Sequence, residues 1–323
     1  MKTMDVICLG EALIDLPAAQ TGLPLTQVTA FYRVPGGAPA NVAVAVAKLG
    51  ARAGFVGKVG DDAFGHFLEE TLRENGVDTR FMLFDKSART ALAFFSLPTP
   101  NTREFMFYRH PSADMLLRAE ELDSDYLRST RIFHFGSISL ISEPSRTATL
   151  EAVRLAQEGG ALISYDPNLR LNLWPDAEKA REGMWSAVHL ADMIKVNEEE
   201  LEFMTGEKDF SLGSKKLMER GPKLCVVTRG PEGSYYNTGH SEGFVSSFRV
   251  ETVDATGCGD GFVAGLLVGI LESEPLEELK GETMAHILRR ANAVGALTSL
   301  QKGVIPALPT CEQVDAFLLK SEA

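Results

Sequence analysis

The chain has 323 residues, 45% of them hydrophobic, and a formal net charge of -12, so it can bury a large core but lacks the basic surface that nucleic-acid binding requires. Its four cysteines are too few for a disulfide framework, and its six histidines lack zinc-site spacing. The first residues include Asp5 and Glu11 rather than a signal peptide's apolar run, and no stretch reaches the about 18 apolar residues of a membrane span. We therefore expect a cytoplasmic protein that contacts no membrane.

Strands and helices alternate in the first part of the chain. The run "DVICLGEALIDL" at residues 5–16 predicts a buried strand followed by a turn. Residues 36–50, "GGAPANVAVAVAKLG", alternate in a way that also suits a strand, but their alanine content, Pro39 and the closing Gly50 favour a buried helix. A strand at 51–60 and an amphipathic helix at 61–76 follow.

The same rhythm continues through the middle of the chain. Further strand or helix patterns occupy residues 131–140, 144–160, 161–169, 177–191, 192–206 and 223–237. Alternation of this kind predicts an α/β fold in which a mostly parallel central sheet is flanked by helices on both faces. We therefore expect a three-layer sandwich and interpret residues 1–323 as a single domain.

Two segments interrupt this rhythm, at about residues 15–35 and 89–111. The second resembles a β-hairpin with its turn at "PTPNTR", residues 98–103. Neither segment has a helical partner, so we expect them to form a small β-sheet that acts as a lid over the site. Strand faces in so small a sheet leave apolar side chains such as Phe94, Phe105 and Phe107 in water, which suggests a homodimer formed through the lid.

The stretch "DATGCGD", residues 254–260, carries the strongest chemical signal. If it is a turn into a helix, the backbone N–H groups from Gly257 to Asp260 point outward as a cradle for an anion. Asp260 at its rim could take a proton from a hydroxyl group beside that anion, which is the minimum equipment of a small-molecule kinase. A helix start lowers a carboxylate pKa, so we expect orientation to matter more than basicity. The alternative is an ordinary capped helix after a tight turn.

Other candidate residues follow predicted strands or turns. Asp15 comes after the first strand, and Arg170 follows a later one, in "DPNLR"; a surface ion pair is the alternative for Arg170. Asn41, in "GGAPAN", can donate to and accept from sugar hydroxyls, although an Asn cap after a Gly-Gly turn reads equally well. Asn197 and Glu200 share one helix face and could serve magnesium, unless they only cap that helix.

Together these motifs resemble the PfkB or ribokinase-like carbohydrate kinases over nearly the whole chain. "GGAPANVAVAVAKLG" resembles the N-terminal signature of that family and "DATGCGDGFVAGLL" its C-terminal one. Several longer stretches resemble those of fructokinases in particular, namely "ARTALAFFSL", "REFMFYRHPSADMLL", "FHFGSISLI", "YDPNLRLNLWP" and "KGVIPALPT". The resemblance implies a ribokinase-like fold and ATP-dependent phosphorylation of a sugar hydroxyl, which in fructokinases is the 6-hydroxyl of D-fructose.

The resemblance also implies roles for individual residues. The catalytic aspartate falls on Asp260 and the anion hole on Gly257, Cys258 and Gly259. Sugar contacts fall on Asp15, Gly36, Gly37 and Asn41, with Arg109 and Arg170 as further sugar or phosphate contacts. Contacts with ATP fall on Asn197, Thr228, Gly230, Gly233 and Asn292. Magnesium is expected at Glu200 through water, and a monovalent cation, usually potassium, at Asp254, Thr256 and Gly303.

Some features leave alternatives open. Cys258 stands where the family usually has alanine, and a helix start there could make the thiol reactive. A kinase of the same family could act on ribose, on 2-keto-3-deoxygluconate or on a nucleoside, because the shape of the pocket decides the substrate. A sugar-binding protein without catalytic activity on the same fold is the alternative from another functional class.

Overall fold

A computed structural model of the chain describes residues 2–99 and 102–321. Its strands are β1 Met4–Leu9, β2 Leu13–Pro17, β3 Val34–Gly36, β4 Ala53–Gly60, β5 Asp78–Asp85, β6 Leu92–Thr99, β7 Thr102–Tyr108, β8 Thr130–Gly136, β9 Leu162–Asp166, β10 Met193–Asn197, β11 Leu224–Thr228, β12 Gly233–Asn237 and β13 Glu242–Ser246. Its α-helices are α1 Ala38–Lys48, α2 Ala63–Glu74, α3 Ser124–Arg128, α4 Ser145–Glu158, α5 Ala177–Val188, α6 Glu198–Thr205, α7 Phe210–Met218, α8 Cys258–Leu271, α9 Gly281–Thr298 and α10 Cys311–Lys320.

The large sheet has nine strands in the order β13-β12-β11-β10-β9-β8-β1-β4-β5. The strands from β11 to β5 run parallel, while β12 and β13 add an antiparallel edge. Consecutive parallel strands need helical crossovers, and the chain supplies them from α1 to α7. The predicted mostly parallel sheet is therefore confirmed, with the antiparallel edge as an addition.

Apolar side chains on the two faces of the large sheet build two cores. Along β1, Val6 and Cys8 pack with α1, α2, α8, α9 and α10, whereas Ile7 and Leu9 pack with α3 to α7. This alternation follows from the two-residue period of a strand, and because both faces are covered the strands are apolar throughout. The structure thus confirms the predicted three-layer sandwich. The interpretation of the chain as one domain remains a prediction.

The segment 36–50 contains helix α1, which confirms the helix that its alanine content favoured over a strand. Gly37 precedes α1 with φ 104°, a backbone shape that L side chains rarely adopt, and α1 is buried along most of its length. Packing of α1 between the sheet and α8 explains why small valine and alanine side chains fill it.

The two interrupting segments form a separate small sheet in the order β3-β2-β6-β7. Strand β2 pairs parallel with β6 and antiparallel with β3, and β6 and β7 form the expected hairpin. Part of its predicted turn, residues 100 and 101, lies outside the described residues. Asp15 corrects one expectation, because it lies inside β2 of the small sheet rather than at the end of the first strand.

None of the described helices has both the length and the apolar character needed to cross a membrane.

Candidate active site

A cleft of about 630 Å³ lies between the small sheet and the carboxyl ends of the parallel strands. Strand β9 brings Asp166 to it, β10 brings Asn197 and β11 brings Thr228, each at or next to its last residue. The N-termini of α1, α6 and α8 face the same space. Ligands of open α/β sheets bind at this edge, because the loops after parallel strands meet there.

The N-terminus of α8 has no side-chain cap. Gly257, the residue that precedes it, has φ 80°, and no described side chain bonds to the N–H groups of the first turn. Among the described residues the N–H groups of Gly257, Gly259 and Asp260 have no acceptor, but the N–H of Cys258 donates to the Ala255 carbonyl at 3.3 Å. Three of the four expected donors are therefore available to an anion, and Cys258 is the exception.

Asp260 lies in the first turn of α8 and lines the cleft. Burial raises the pKa of its carboxyl to about 6; the hydrogen bond from Asn41, Arg170 and Lys195 oppose this rise, whereas Asp166 adds to it. The expected lowering by the helix start is therefore wrong in direction, because loss of solvent outweighs the helix dipole. At neutral pH the group is mostly ionised yet basic enough to accept a proton.

Asn41 connects α1 to this carboxylate. Its Nδ2 donates to Oδ2 of Asp260 at 2.8 Å. Its Oδ1 is buried and has no hydrogen-bond partner among the described residues, although the side chain is only 4% exposed. A buried oxygen left without a donor costs free energy, so this atom is suited to accept a hydrogen bond from a bound hydroxyl.

Asp15 faces the cleft from the small sheet. Burial raises the pKa of its carboxyl to about 7, while Arg170 lowers it and Asp260 raises it further. Gly36, at the end of β3, lies beside Asp15, and Gly37 leads into α1. The predicted sugar contacts Asp15, Gly37 and Asn41 therefore line the cleft, and Gly36 adjoins Asp15.

The two predicted arginines differ in their partners. Arg170 is exposed, donates to the Leu169 carbonyl at 3.0 Å and makes no ion pair with any described residue, so the surface ion pair considered for it does not form. Arg109 is buried and donates through Nε to Asp114 at 3.1 Å. Arg109 thus brings a positive charge that is already paired, whereas Arg170 brings an unpaired one.

Asn197 and Glu200 form a capping box at the start of α6. Asn197 Oδ1 accepts from the Glu200 N–H at 2.7 Å, and Glu200 Oε2 accepts from the Asn197 N–H at 2.8 Å. The other oxygen of Glu200 accepts from the Leu169 N–H at 2.8 Å. Each carboxylate oxygen therefore already accepts one hydrogen bond and keeps a lone pair, which could face a metal ion or one of its water molecules.

The predicted ATP contacts extend into a neighbouring cavity. Thr228 and Gly230 line both spaces, whereas Gly233 and Asn292 line only the second, of about 490 Å³. Asn292 is held by its Nδ2, which donates to the Val245 carbonyl at 3.1 Å. The two spaces together form a path from α8 to a wide pocket between β12 and α9.

The predicted residues of the monovalent site meet behind the start of α8. Asp254 Oδ1 accepts from the N–H and hydroxyl of Thr256 at 3.0 and 2.7 Å, and Oδ2 accepts from the Gly303 N–H at 3.3 Å. Asp254 therefore joins two loops next to Gly257. Within the described part of the chain, no cluster of three or more His, Cys, Asp or Glu side chains could hold a metal ion.

Burial raises the pKa of the Cys258 thiol to about 11, and the nearby carboxylates of Asp254 and Asp260 raise it too. The expectation of a reactive thiol is therefore wrong, because burial and two negative charges outweigh the helix start.

Three buried charged residues among those that line the cleft escaped the sequence interpretation. Glu11, Asp166 and Lys195 are all buried, and Lys195 Nζ lies 3.1 Å from Oδ2 of Asp166. Burial raises the pKa of Glu11 to about 7, although Arg109 opposes the rise. The available signal was a charged residue within or at the end of an apolar strand, most clearly Lys195 between Ile194 and Val196.

Comparisons with known proteins agree over nearly the full length. The model of the family described as pfkB family carbohydrate kinase matches residues 3–311. A probable fructokinase-2 from Arabidopsis thaliana is 50% identical over 319 residues, which are 98% of this chain and 97% of that protein. The structure of fructokinase with bound ATP from Xylella fastidiosa superposes with a TM-score of 0.92 at 36% identity and covers 100% of both chains.

A fructokinase double mutant from Vibrio cholerae O395, in a form with fructose, ADP and potassium ion bound, superposes with a TM-score of 0.87 at 36% identity. That match covers 98% of this chain and 99% of the Vibrio chain.

Proposed function

The chain belongs to the pfkB family of carbohydrate kinases, and on that premise we propose that it is a fructokinase, which transfers the γ-phosphoryl group of ATP to the 6-hydroxyl of D-fructose. The resemblance to this family is thereby confirmed, as are the ribokinase-like fold and a phosphotransferase activity with an alcohol group as acceptor. The choice of fructose is supported by curated relatives named fructokinase and by a neighbouring structure with bound fructose.

One observation carries the proposal: a carboxylate with a pKa of about 6 adjoins three backbone N–H groups that have no acceptor within residues 2–99 and 102–321. The N–H groups suit the oxygens of a phosphoryl group, and the carboxylate suits the hydroxyl that attacks it. The alternative, an ordinary capped helix after a tight turn, does not explain why α8 lacks a side-chain cap.

In the proposed reaction, Asp260 orients the sugar hydroxyl and takes its proton. The bond between the sugar oxygen and the γ-phosphorus forms while the bond to the β–γ bridging oxygen breaks, and ADP leaves. In a loose transition state the alcohol loses its proton late, so alignment is the main contribution of Asp260. Cys258 supplies no donor to this anion hole, since its N–H already donates to the Ala255 carbonyl.

The sugar is proposed to bind at the end of the cleft that Asn41 and Asp15 line. The unpaired Oδ1 of Asn41 would accept one hydroxyl, and Asp15 would accept others beside Gly36 and Gly37. Arg170, which makes no ion pair with any described residue, would contact a phosphate or a sugar oxygen. Arg109 also lines the cleft, and its guanidinium is held there by Asp114.

ATP is proposed to extend from the start of α8, past Asn197, Thr228 and Gly230, into the pocket that Gly233 and Asn292 line.

Two kinds of cation fit the residues present. Magnesium, which keeps several waters, suits the single engaged carboxylate of Glu200, and a monovalent cation suits the junction of Asp254, Thr256 and Gly303 behind the anion hole. Both cations would supply positive charge beside the phosphates.

The small sheet is proposed to act as the lid and as a dimer surface. Phe105 and Phe107 line the cleft, so their side of the small sheet does not suit an interface between two copies. Phe94 packs against Tyr108 on the side of the sheet that is turned away from the cleft. Met106 and Tyr108 are 43% and 57% exposed, which makes that opposite face the proposed contact between two copies. A monomeric mass by light scattering at micromolar concentration would contradict the dimer.

The test is an assay of ADP release with a panel of acceptors: D-fructose, ribose, 2-keto-3-deoxygluconate and a nucleoside. We expect the highest kcat/KM with fructose and a 6-phosphate product by phosphorus NMR. Preference for another acceptor would reassign the sugar but keep the kinase. Sugar binding by calorimetry without ADP release from any acceptor would instead indicate a binding protein.

A further inference from the structure

The lysine of β10 faces the anion hole. Strand alternation directs Ile194 and Val196 to the face of α4 to α7, and it directs Lys195 to the opposite face, where α8 lies. Lys195 is 9% exposed, and its Nζ lies 3.6 Å from the point where a Cβ on Gly259 would stand. The ammonium group therefore lies in the space beside the second glycine of the anion hole, where a side chain on that residue would point.

A second buried lysine shows what a purely structural role looks like. Lys58 in β4 is 5% exposed, and its Nζ donates to the Leu116 carbonyl at 3.0 Å and to Glu121 at 2.6 Å. Asp85 is a third oxygen partner at 3.7 Å. Each of the three N–H donors of this ammonium thus has an oxygen near it, and none is left for a ligand.

Lys195 has fewer acceptors than Lys58. Among residues 2–99 and 102–321 its ammonium donates only to Asp166 Oδ2, at 3.1 Å. Asp166 is held in turn, because its Oδ1 accepts from the Asn168 N–H at 3.1 Å. A buried ammonium with unused donors beside an anion hole is costly unless a ligand supplies the missing acceptors.

The charges around Lys195 keep it protonated. Burial alone would lower its pKa, but Asp166, Glu200 and Asp260 together raise the pKa above its usual value. His134 also faces it, and burial and Lys195 lower the pKa of that imidazole to about 3, so it stays neutral. The group therefore carries a positive charge at neutral pH.

We propose that Lys195 is a catalytic residue of the phosphoryl transfer, whose ammonium contacts an oxygen of the transferring phosphoryl group at the N-terminus of α8. Asp166 is the positioning residue that holds the ammonium there. The proposal rests on the kinase function proposed above. Lys195 gives up no proton in the step; it stabilises the charge spread over the oxygens of the phosphoryl group, for which a compact point charge is suited.

The first test compares Lys195→Met with Lys58→Met in the ADP-release assay with fructose. We expect Lys195→Met to lower kcat by about 10²–10³, the usual loss when one preorganised donor to a developing charge is removed. The affinity for ADP, which lacks the transferring group, should stay near that of the wild type by calorimetry. Lys58→Met should lower the unfolding temperature and leave the kcat of the folded molecules unchanged.

A neutral variant that keeps the hydrogen bond to Asp166 distinguishes a loss of charge from a loss of folding. Lys195→Gln can still donate to Asp166 but carries no charge, so we expect a loss of kcat as large as in Lys195→Met. Lys195→Arg keeps the charge and should recover part of the rate. Wild-type kcat in Lys195→Gln, or equal losses of kcat in the Lys195→Met and Lys58→Met variants, would overturn the proposal.

The positioning role of Asp166 has its own readout, the acidic limb of kcat that the ionisation of Asp260 sets. The hydrogen bond from Asn41 and the charges of Arg170 and Lys195 lower the pKa of Asp260, whereas the charge of Asp166 raises it. Asp15 and Cys258 are also close enough for their own pKa values to be raised by the charge of Asp260. Lys195→Met should therefore move the limb to higher pH and Asp166→Asn to lower pH. Shifts in the same direction would contradict the assignment.

Failure of this proposal is distinguishable from failure of the kinase function. If the wild-type protein releases ADP with any sugar and the Lys195 variants do so equally well, only the role of Lys195 is wrong. If the wild-type protein releases none, the kinase function is wrong and the role of Lys195 falls with it.

Discussion

Two helices begin at the same cleft with opposite electrostatic character. Helix α6 starts with Glu198, Glu199 and Glu200, and the side chains of Asn197 and Glu200 bond to backbone N–H groups of its first turn. Helix α8 starts after Gly257 without a side-chain cap, and Asp260 is the one acid of its first turn. The first start therefore favours a cation, and the second favours an anion.

The difference supports the proposed function, because a nucleotide with a bound metal ion carries charges of both signs. Phosphate oxygens fit the uncapped N–H groups of α8, while the acids at α6 fit the positive ion that accompanies the phosphates. Both helices begin at the cleft, and the residues at the start of each helix decide whether that start favours a cation or an anion. Each prediction below changes one of the two starts.

The largest effect is expected from Asp260→Asn at the start of α8. The amide cannot take the proton of the sugar hydroxyl, so kcat should fall by at least about 10²–10⁴, the usual contribution of a positioned base. Binding of fructose and ADP should largely survive, which calorimetry can check. Near-normal turnover in this variant would refute the role of Asp260.

The next effect is expected from Gly257→Ala. This position has φ 80°, and a Cβ there would stand 2.2 Å from Cγ1 of Val304, so the turn must move and displace its N–H groups. We expect kcat to fall by about 10²–10³, as for the loss of a donor to a developing charge.

Gly206, which ends α6, is the matched control for Gly257. It has φ 75° and no atom within 4 Å of a Cβ, and it lies away from the cleft. Gly206→Ala should cost similar backbone strain, at least about 0.4–1 kcal/mol of stability, without changing kcat. Equal kinetic losses in both variants would mean that the start of α8 holds no phosphate.

The smallest effect is expected from Asn197→Ala at the start of α6. Loss of this cap should lower the free energy of unfolding by about 0.5–2 kcal/mol. The KM for ATP should also rise, because Asn197 lines the proposed nucleotide path.

Thr310→Ala removes the equivalent capping box of α10, where Thr310 and Gln313 bond reciprocally. Its stability loss should match that of Asn197→Ala while the KM for ATP stays unchanged. An equal change of the KM for ATP in both variants would contradict a contact between Asn197 and the nucleotide.

The sequence predicted those parts of the site that depend on short segments. The uncapped turn at residues 254–260 and the helix after Gly37 are local, because glycines and small residues restrict what the backbone can do there. The order of strands and helices was equally accessible, because apolar periodicity records which faces are buried.

The parts that it did not predict depend on long-range contacts. Lys195 lies on β10 and comes near the start of α8 only in the folded chain, and Asp15 reaches the cleft from a different sheet. The pKa of Asp260 moved opposite to expectation because burial by distant segments outweighs the local helix dipole. Such effects depend on the assembled fold rather than on neighbours in the chain.

The most direct measurement of the central claim is the pH dependence of kcat, at saturating fructose and ATP, for the wild-type protein and Asp260→Asn. A base must be ionised, so with a pKa of about 6 for Asp260 the wild-type rate should be full at higher pH and fall as the pH drops below that value. Ionisation of the nucleotide is common to both proteins and cancels in the comparison. The account predicts that this acidic limb disappears from the residual activity of Asp260→Asn, and an identical limb in both proteins would contradict it.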